Sequence, residues 1–325
     1  MFKVLENLKK LFSNVFPMEL LHPDEKGIRR AVEILEKGGL VAFPTETVYG
    51  LGCDAMNEKA LERLFEVKKR PRNKPLIVGV SKIEQVYEIA EVNELALKLM
   101  KLFFPGPLTL ILKRRSIPDL VTGGKNKVAV RMPAHEIPLK LIQGLGKPIV
   151  VPSANISGKF TPTKPEHVIE ELGGKIDAIV LGDCYLGLES TILDLTVETP
   201  RIVRHGALSV EELSKFLEVQ YEEKSDFEEK FSSSAEIYVF VGNAKEKIPE
   251  FLEKRPDAIV IATRDYGRTI VVGKTAEEYA RNLFDALIRA EKRGAKLILV
   301  EGIEEVGIGR AVMHRLYKSA SKIFR

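Results

Sequence analysis

Three apolar runs in this chain stop abruptly in small polar groups, and those groups are the first candidates for chemistry. LVAFPTETVYGLGCDA, 40–55, is broken by Pro44, Thr45, Glu46 and Thr47 before Gly50 and Gly52, and VPSANISG, 151–158, ends in Ser153 and Asn155. GLESTILD, 187–194, repeats the pattern around Ser190. One such ending reads as a turn, here on Asn155 and Gly158. Three together offer hydroxyls and free backbone amides that can line a pocket for a small zwitterion or a phosphate.

The cations are grouped as well. KKRPRNK, 68–74, packs Lys68, Lys69, Arg70, Arg72 and Lys74 into one helix end, where a macrodipole alone would favour them. Lys113, Arg114 and Arg115 follow a second apolar run, Lys125, Lys127 and Arg131 surround a third, and Arg201 and Arg204 flank a fourth. If these run ends converge, they suit a polyphosphate, which takes bidentate arginine together with point-charge lysine. An RNA backbone would use the same charges, although few aromatic residues stand beside them for base stacking.

Familiar nucleophile and metal signatures are missing. The sequence contains no GxSxG elbow, no HExxH and no aspartate triplet, and its five histidines are scattered. GRTIVVGKT imitates a P-loop, but five residues separate Gly267 from Gly273 where four are required, and Arg268 takes the place of the first glycine. Thr275 and Glu278 explain the same stretch as a capping box. An enzyme built this way takes its nucleophile from the substrate and works by positioning and charge neutralisation.

The elements that must hold these groups alternate in the first two thirds of the chain. Ile28, Ala31, Val32 and Leu35 mark a helix face closed by Gly38 and Gly39. Asn57 caps a second helix carrying Leu61, Leu64 and Phe65, which Pro71 ends. PLIVGV, LTLIL, VAVR, PIVV, DAIVL and TILDL read as short strands, only some of them separated by helices, so the sheet is expected to be mixed. EIYVFVG, DAIVIAT, TIVVG and KLILVEG then alternate with helices near 245–254, 276–293 and 309–322, the rhythm of a small open α/β sheet.

Composition sets the frame. With 325 residues, 45% hydrophobic and 30% charged, the chain can build two globular cores. No segment reaches the ~18 apolar residues of a membrane span. MFKVLENLKKLFSNVF carries charges throughout and reads as an amphipathic helix rather than a signal peptide. Cys53 and Cys184 stand far apart with no CxxC, which fits a cytosolic protein without disulfides or zinc. The net charge of +4 is mild, but 211–234 carries 8 acidic and 3 basic residues between two basic blocks and reads as a linker.

In this order, PTETVYGLG, KRPRNKPLIV, FPGPLTLIL, VAVRMP, VPSANISG, EST and RIVRHGAL resemble the threonylcarbamoyl-AMP synthase family over about 20–215, and GIGRAVMHRLYKSASK is similar to the last helix of its long form. The resemblance implies an α/β fold: a YrdC-like mixed twisted sheet with helices, plus a smaller Rossmann-like domain. It places an amphipathic extension over 1–17, the catalytic domain over 18–217, the acidic linker over 218–234 and the Rossmann-like domain over 235–325. The implied reaction joins L-threonine, bicarbonate and ATP, with magnesium arriving on the nucleotide, into threonylcarbamoyl-AMP and pyrophosphate. The product serves adenosine 37 of tRNA through a downstream threonylcarbamoyl-transferase complex.

By the same resemblance, Thr47, Arg131, Val151 and Ser190 contact threonine, while Arg70, Lys74, Lys127, Ser153, Asn155, Thr161 and Arg204 hold ATP. Lys68, Arg70 and Arg131 are the implied catalytic residues, and no protein metal ligand is named. Thr45 and Thr47 are expected to face the substrate, with Glu46 ordering the turn. Arg131→Ala is expected to abolish activity and spare stability. Three departures stand out: Gly79 replaces the usual histidine near threonine, VQYEEKSDF replaces the usual linker stretch around Tyr221, and His314 replaces an asparagine expected to lie away from the chemistry. Two other readings compete: a noncatalytic RNA-binding protein, and a carbamoyl-transfer enzyme of the hydrogenase-maturation type, which two isolated cysteines disfavour.

Overall fold

The computed structural model describes residues 18–221, 227 and 230–325. The expected helix over 1–17 and part of the expected linker lie outside them. Alternate residues of the buried strand β2 (Val41–Pro44) explain the layering of the first domain, since strand side chains point to opposite faces. Val41 and Phe43 join an apolar cluster with Ile28, Leu35, Leu141 and Val180, whereas Ala42 joins one with Leu51, Leu64, Leu99 and Val168. The sheet is therefore buried on both faces. Helices α1 (Glu25–Glu36) and α6 (Glu136–Leu145) supply one cover, and α2 (Glu58–Lys68), α4 (Glu94–Phe103) and α7 (Pro165–Leu172) the other.

Among the described residues the sheet has eleven strands in the order β1-β8-β2-β3-β7-β4-β6-β5-β9-β10-β11. Besides β2 these are β1 (Glu19–Leu21), β3 (Tyr49–Asp54), β4 (Ile77–Gly79), β5 (Leu108–Lys113), β6 (Lys127–Arg131), β7 (Ile149–Val150), β8 (Ala178–Val180), β9 (Thr191–Asp194), β10 (Arg201–Arg204) and β11 (Gln220–Tyr221). It is mixed, as expected: β2 pairs antiparallel with β3 and parallel with β8. The expected Asn57 cap is present, its Oδ1 accepting from Ala60 N at 3.2 Å, and Asp24 Oδ1 caps α1 in the same way, accepting from Gly27 N at 2.8 Å. Tyr221, expected in the linker, pairs with Ile202 across β10 and β11.

The second sheet is wholly parallel, ordered β14-β13-β15-β12-β16. Its strands are β12 (Glu236–Phe240), β13 (Ile259–Ala262), β14 (Thr269–Val271), β15 (Leu297–Glu301) and β16 (Lys322–Phe324). Helices α10 (Ala276–Lys292) and α11 (Ile308–Ser319) pack beside Ile237 and Val239, and α9 (Ala244–Lys254) beside Phe240. Thr275 and Glu278 form the expected capping box. The helix expected to run to 322 instead ends at Ser319, because Phe324 stacks on Phe240 with centroids 4.9 Å apart and draws the chain end into the sheet.

The two domains meet through side chains of both. Phe160 and Leu188 belong to the apolar cluster of Tyr279, Leu283 and Phe284. Nearby, Asp285 receives Lys164 at 3.0 Å and His167 at 3.2 Å, and Arg281 Nε donates to Tyr185 O at 2.8 Å.

Candidate active site

Strand and helix ends bring arginines from separate elements to one open cavity. Arg131 closes β6, Arg204 closes β10, and Arg70 follows the left-handed Lys69 that ends α2. All three line the cavity with Val151, Ser153, Asn155 and Thr161, so seven of the twelve sequence-predicted residues share one wall. Arg70 Nη2 donates to Pro75 O at 2.9 Å, and Arg204 grips Ser190 O through Nε at 3.1 Å and Nη2 at 2.9 Å.

Arg131 is the most buried of these cations, and its partner is Glu46. The pair stands at 2.7 Å with side-chain exposures of 6% and 7%. The approach is off the hydrogen-bonding axis, and neither carboxylate oxygen of Glu46 accepts a hydrogen bond among the described residues. Arg131 Nε donates instead to Gly106 O at 3.2 Å. A buried charge pair without hydrogen bonds is poorly solvated, and both members gain when a polar ligand supplies donors and acceptors.

The remaining five predicted residues lie outside this lining. Lys68 is 1% exposed and spends its ammonium on the carbonyls of Ser153, at 2.5 Å, and Asn155, at 2.6 Å, so it shapes the loop that faces the cavity. Lys127 pairs with Asp194 at 2.8 Å. Lys74 is half-buried on a turn, its N–H bonding Pro71 O at 3.0 Å. Thr47 and Ser190 are fully buried behind their neighbours Val48 and Glu189, which do line the cavity. Ser190 Oγ meets Thr109 Oγ1 at 2.8 Å and Arg204 Nη2 at 3.1 Å.

In the PTET turn the expected roles are exchanged. Thr45 Oγ1 accepts from the amides of Thr47, at 3.1 Å, and Val48, at 3.2 Å, and donates to Val48 O at 2.7 Å, so Thr45 orders the turn. Glu46 is freed to meet Arg131. A threonine hydroxyl can satisfy local amides where a longer carboxylate overshoots them.

A family model described as "Telomere recombination" matches residues 33–206, and one described as "Threonylcarbamoyl-AMP synthase, C-terminal domain" matches residues 212–321. The threonylcarbamoyl-AMP synthase of Pyrococcus abyssi is 44% identical over 322 residues, covering 91% of this chain and 95% of that protein. The chain belongs to the threonylcarbamoyl-AMP synthase family. The Bacillus subtilis threonylcarbamoyl-AMP synthase is 36% identical over 327 residues, covering 92% of this chain and 94% of that one. The crystal structure of P. abyssi Sua5 complexed with L-threonine matches with a TM-score of 0.89 and 40% identity, over 95% of this chain and 99% of that chain.

Against this family background two departures find a physical reason. At Gly79 a Cβ would stand 2.6 Å from Val151 Cγ2, so the valine methyl fills the space a histidine would need. His314 is not remote: its Nδ1 lies 3.1 Å from Arg315 Nη1 and its Nε2 2.9 Å from the Tyr221 hydroxyl. Because arginine only donates, His314 Nδ1 accepts, and the ring is held as the Nε2–H tautomer. Tyr221 also stacks on His205 with centroids 4.4 Å apart.

The synthase cavity also contains residues to which the sequence reading gave no site role: Glu189, Lys159, Arg315 and Lys318. Glu189 Oε1 accepts from Thr161 Oγ1 at 2.7 Å, and Oε2 from Arg315 Nε at 2.8 Å. Burial alone would push the Glu189 carboxyl up, but the guanidiniums of Arg315 and Arg204 and the Thr161 hydroxyl bring it down to about 2. One signal was available. Arg315 falls on the same helical face as Ala311 and Val312, and a charge inside an apolar stripe requires a buried partner.

Proposed function

We infer that this chain is an L-threonylcarbamoyladenylate synthase. The observation that carries the reading is the convergence of Arg70, Arg131 and Arg204 on one cavity in a chain of this family. Family membership favours it over noncatalytic RNA binding.

The chemistry asks little of the protein as a nucleophile. Threonine's amine takes up carbon dioxide drawn from bicarbonate, with loss of a proton, and a carbamate oxygen attacks the α-phosphorus of ATP. The P–O bond to the β-phosphate breaks and pyrophosphate leaves. The protein holds the reactants in line and spreads charge over the phosphates. Arg131, with Glu46 beside it, would receive the polar end of threonine, with Val151 closing that side. The hydroxyls of Thr47 and Ser190 would have to be reached by movement of Val48 and Glu189. Arg70 and Arg204 would carry phosphates, with Ser153, Asn155 and Thr161 around the nucleotide. Lys68 would act through the Ser153–Asn155 carbonyls, and Lys74 and Lys127 would engage only if the nucleotide reaches them.

Magnesium bound to ATP would draw charge from the leaving pyrophosphate. Glu189 is the carboxylate among the described lining residues, and both its oxygens are engaged. The residues present therefore do not offer a carboxylate cage, and the phosphates themselves would hold the ion. Among the described residues no helix is long and apolar enough to cross a membrane. We place the enzyme in the cytoplasm, handing its product to a threonylcarbamoyl-transferase complex that acts on tRNA.

The test is pyrophosphate release from ATP with threonine and bicarbonate omitted in turn. Dependence on both supports the synthase, and ATP turnover indifferent to threonine rejects it. Should the chain instead bind RNA with an affinity that falls steeply with salt and show no turnover, the noncatalytic reading replaces it.

A further inference from the structure

Six cations line the cavity among the described residues, and two of them, Arg315 and Lys318, come from α11 of the C-terminal domain. They stand three positions apart, so one helix face presents both. Arg315 is 5% exposed and its fork is aimed by three partners: Nε to Glu189 Oε2 at 2.8 Å, Nη2 to His205 O at 2.9 Å and Nη1 to His314 Nδ1 at 3.1 Å. A guanidinium has five N–H groups. Two therefore remain without a partner among the described residues, one on each terminal nitrogen.

The local charge explains why such a residue is needed. Glu189 faces the same cavity as the phosphate-binding arginines, and a bare carboxylate there would repel a polyphosphate. Arg315 cancels it. The same guanidinium holds the carbonyl of His205, next to Arg204, whose own side chain is fixed on Ser190. One arginine of the second domain thus braces two segments of the first, at the positions where a nucleotide would lie.

We propose that α11 supplies part of the polyphosphate subsite, with Arg315, positioned by Glu189, and Lys318 binding the phosphates of ATP. The C-terminal domain is then a working wall of the active site. This rests on the synthase reading of the cavity.

The experiment measures threonine-dependent pyrophosphate release by the full chain carrying Lys318→Ala or Arg315→Lys, varying ATP and threonine separately, with inorganic pyrophosphate as product inhibitor. Arg315→Lys keeps the charge opposite Glu189 and loses the fork. The expected result for each is a KM for ATP raised roughly tenfold, a matching rise in the inhibition constant of pyrophosphate, and a KM for threonine within about twofold of the parent. An unchanged KM for ATP in both variants overturns the proposal. So does a parallel loss of ATP and threonine affinity with a lowered unfolding temperature, which would make Arg315 a strut only. If the unmodified chain turns over ATP without threonine, the synthase reading itself fails, whatever the variants do.

Discussion

Glu46 and Arg131 face each other at 2.7 Å beneath the cavity, each less than a tenth exposed. Deleting one member of such a pair leaves the other charged and buried, which costs about 3–5 kcal/mol in comparable sites. Arg131→Ala is therefore expected to abolish activity and also to lower the unfolding temperature. This corrects the expectation, drawn from sequence, that the substitution spares stability. Thermal unfolding beside the pyrophosphate assay checks it: an inactive variant as stable as the parent would mean that Glu46 finds another partner.

Gly79 and Val151 share one space. Introducing by Gly79→His the histidine that the resemblance leads one to expect there should overpack the site by about 1–3 kcal/mol and raise the KM for threonine. Pairing it with Val151→Gly is expected to recover part of both losses. Equal damage in the single and double variants would show that the valine methyl is not the obstacle.

Acid should weaken the contact between the domains in two stages. Burial, helped by Arg310 and Arg315 and opposed by Glu211 and Glu305, pushes the His205 imidazole down to about 4. Burial, with Arg315, His205 and Lys318 against Glu189, pushes His314 down to about 3. Each ring binds a proton more readily unfolded than folded, so its contribution is complete above pH 6.5, the ordinary histidine value, and shrinks as pH falls towards the lowered one. Glu189 joins below pH 4.5, its contribution falling away towards about 2. Urea unfolding between pH 7.5 and 3.5 should show stability declining from about 6.5 downward, with a shallower slope in the His205→Gln variant. A flat profile down to pH 5 would contradict this.

Gly187 sits against the backbone of α10, with φ at +76° and space so tight that a Cβ there would lie only 2.4 Å from Arg281 Cα. Backbone on that side cannot yield as a side chain would. Gly187→Ala is expected to cost at least about 1 kcal/mol from the left-handed conformation alone and to push α10 away. Limited proteolysis should then cut between the domains faster than in the parent. Unchanged cleavage would show that the contact tolerates a methyl group.

The first sheet was legible because its strands are short β-branched runs closed by glycine, proline or serine. Strands β1 and β16 escaped because Glu19–Leu21 holds no β-branched residue and Lys322–Phe324 only one, and pairing with β8 and β12 decides their state. In the site, cations at strand ends could be read from spacing, since the end of a strand fixes where its last side chain emerges. Burial could not. Thr47 and Ser190 look like lining residues in sequence and lie behind it, because which neighbour faces the cavity depends on the turn that Thr45 ties. Arg315 depends on contact between domains, which local pattern does not encode.

The position of β12 in its sheet also bears on synthesis. It lies between β15 and β16, which follow it in the chain, whereas the first sheet of the described residues is complete once residue 221 has emerged. Amino-terminal domains fold first as chains elongate, so the nascent enzyme carries a formed sheet and three of its cavity arginines long before α11 exists. A message cut short before the codons of α11 would release a protein that folds in its first part and still lacks one side of the chamber.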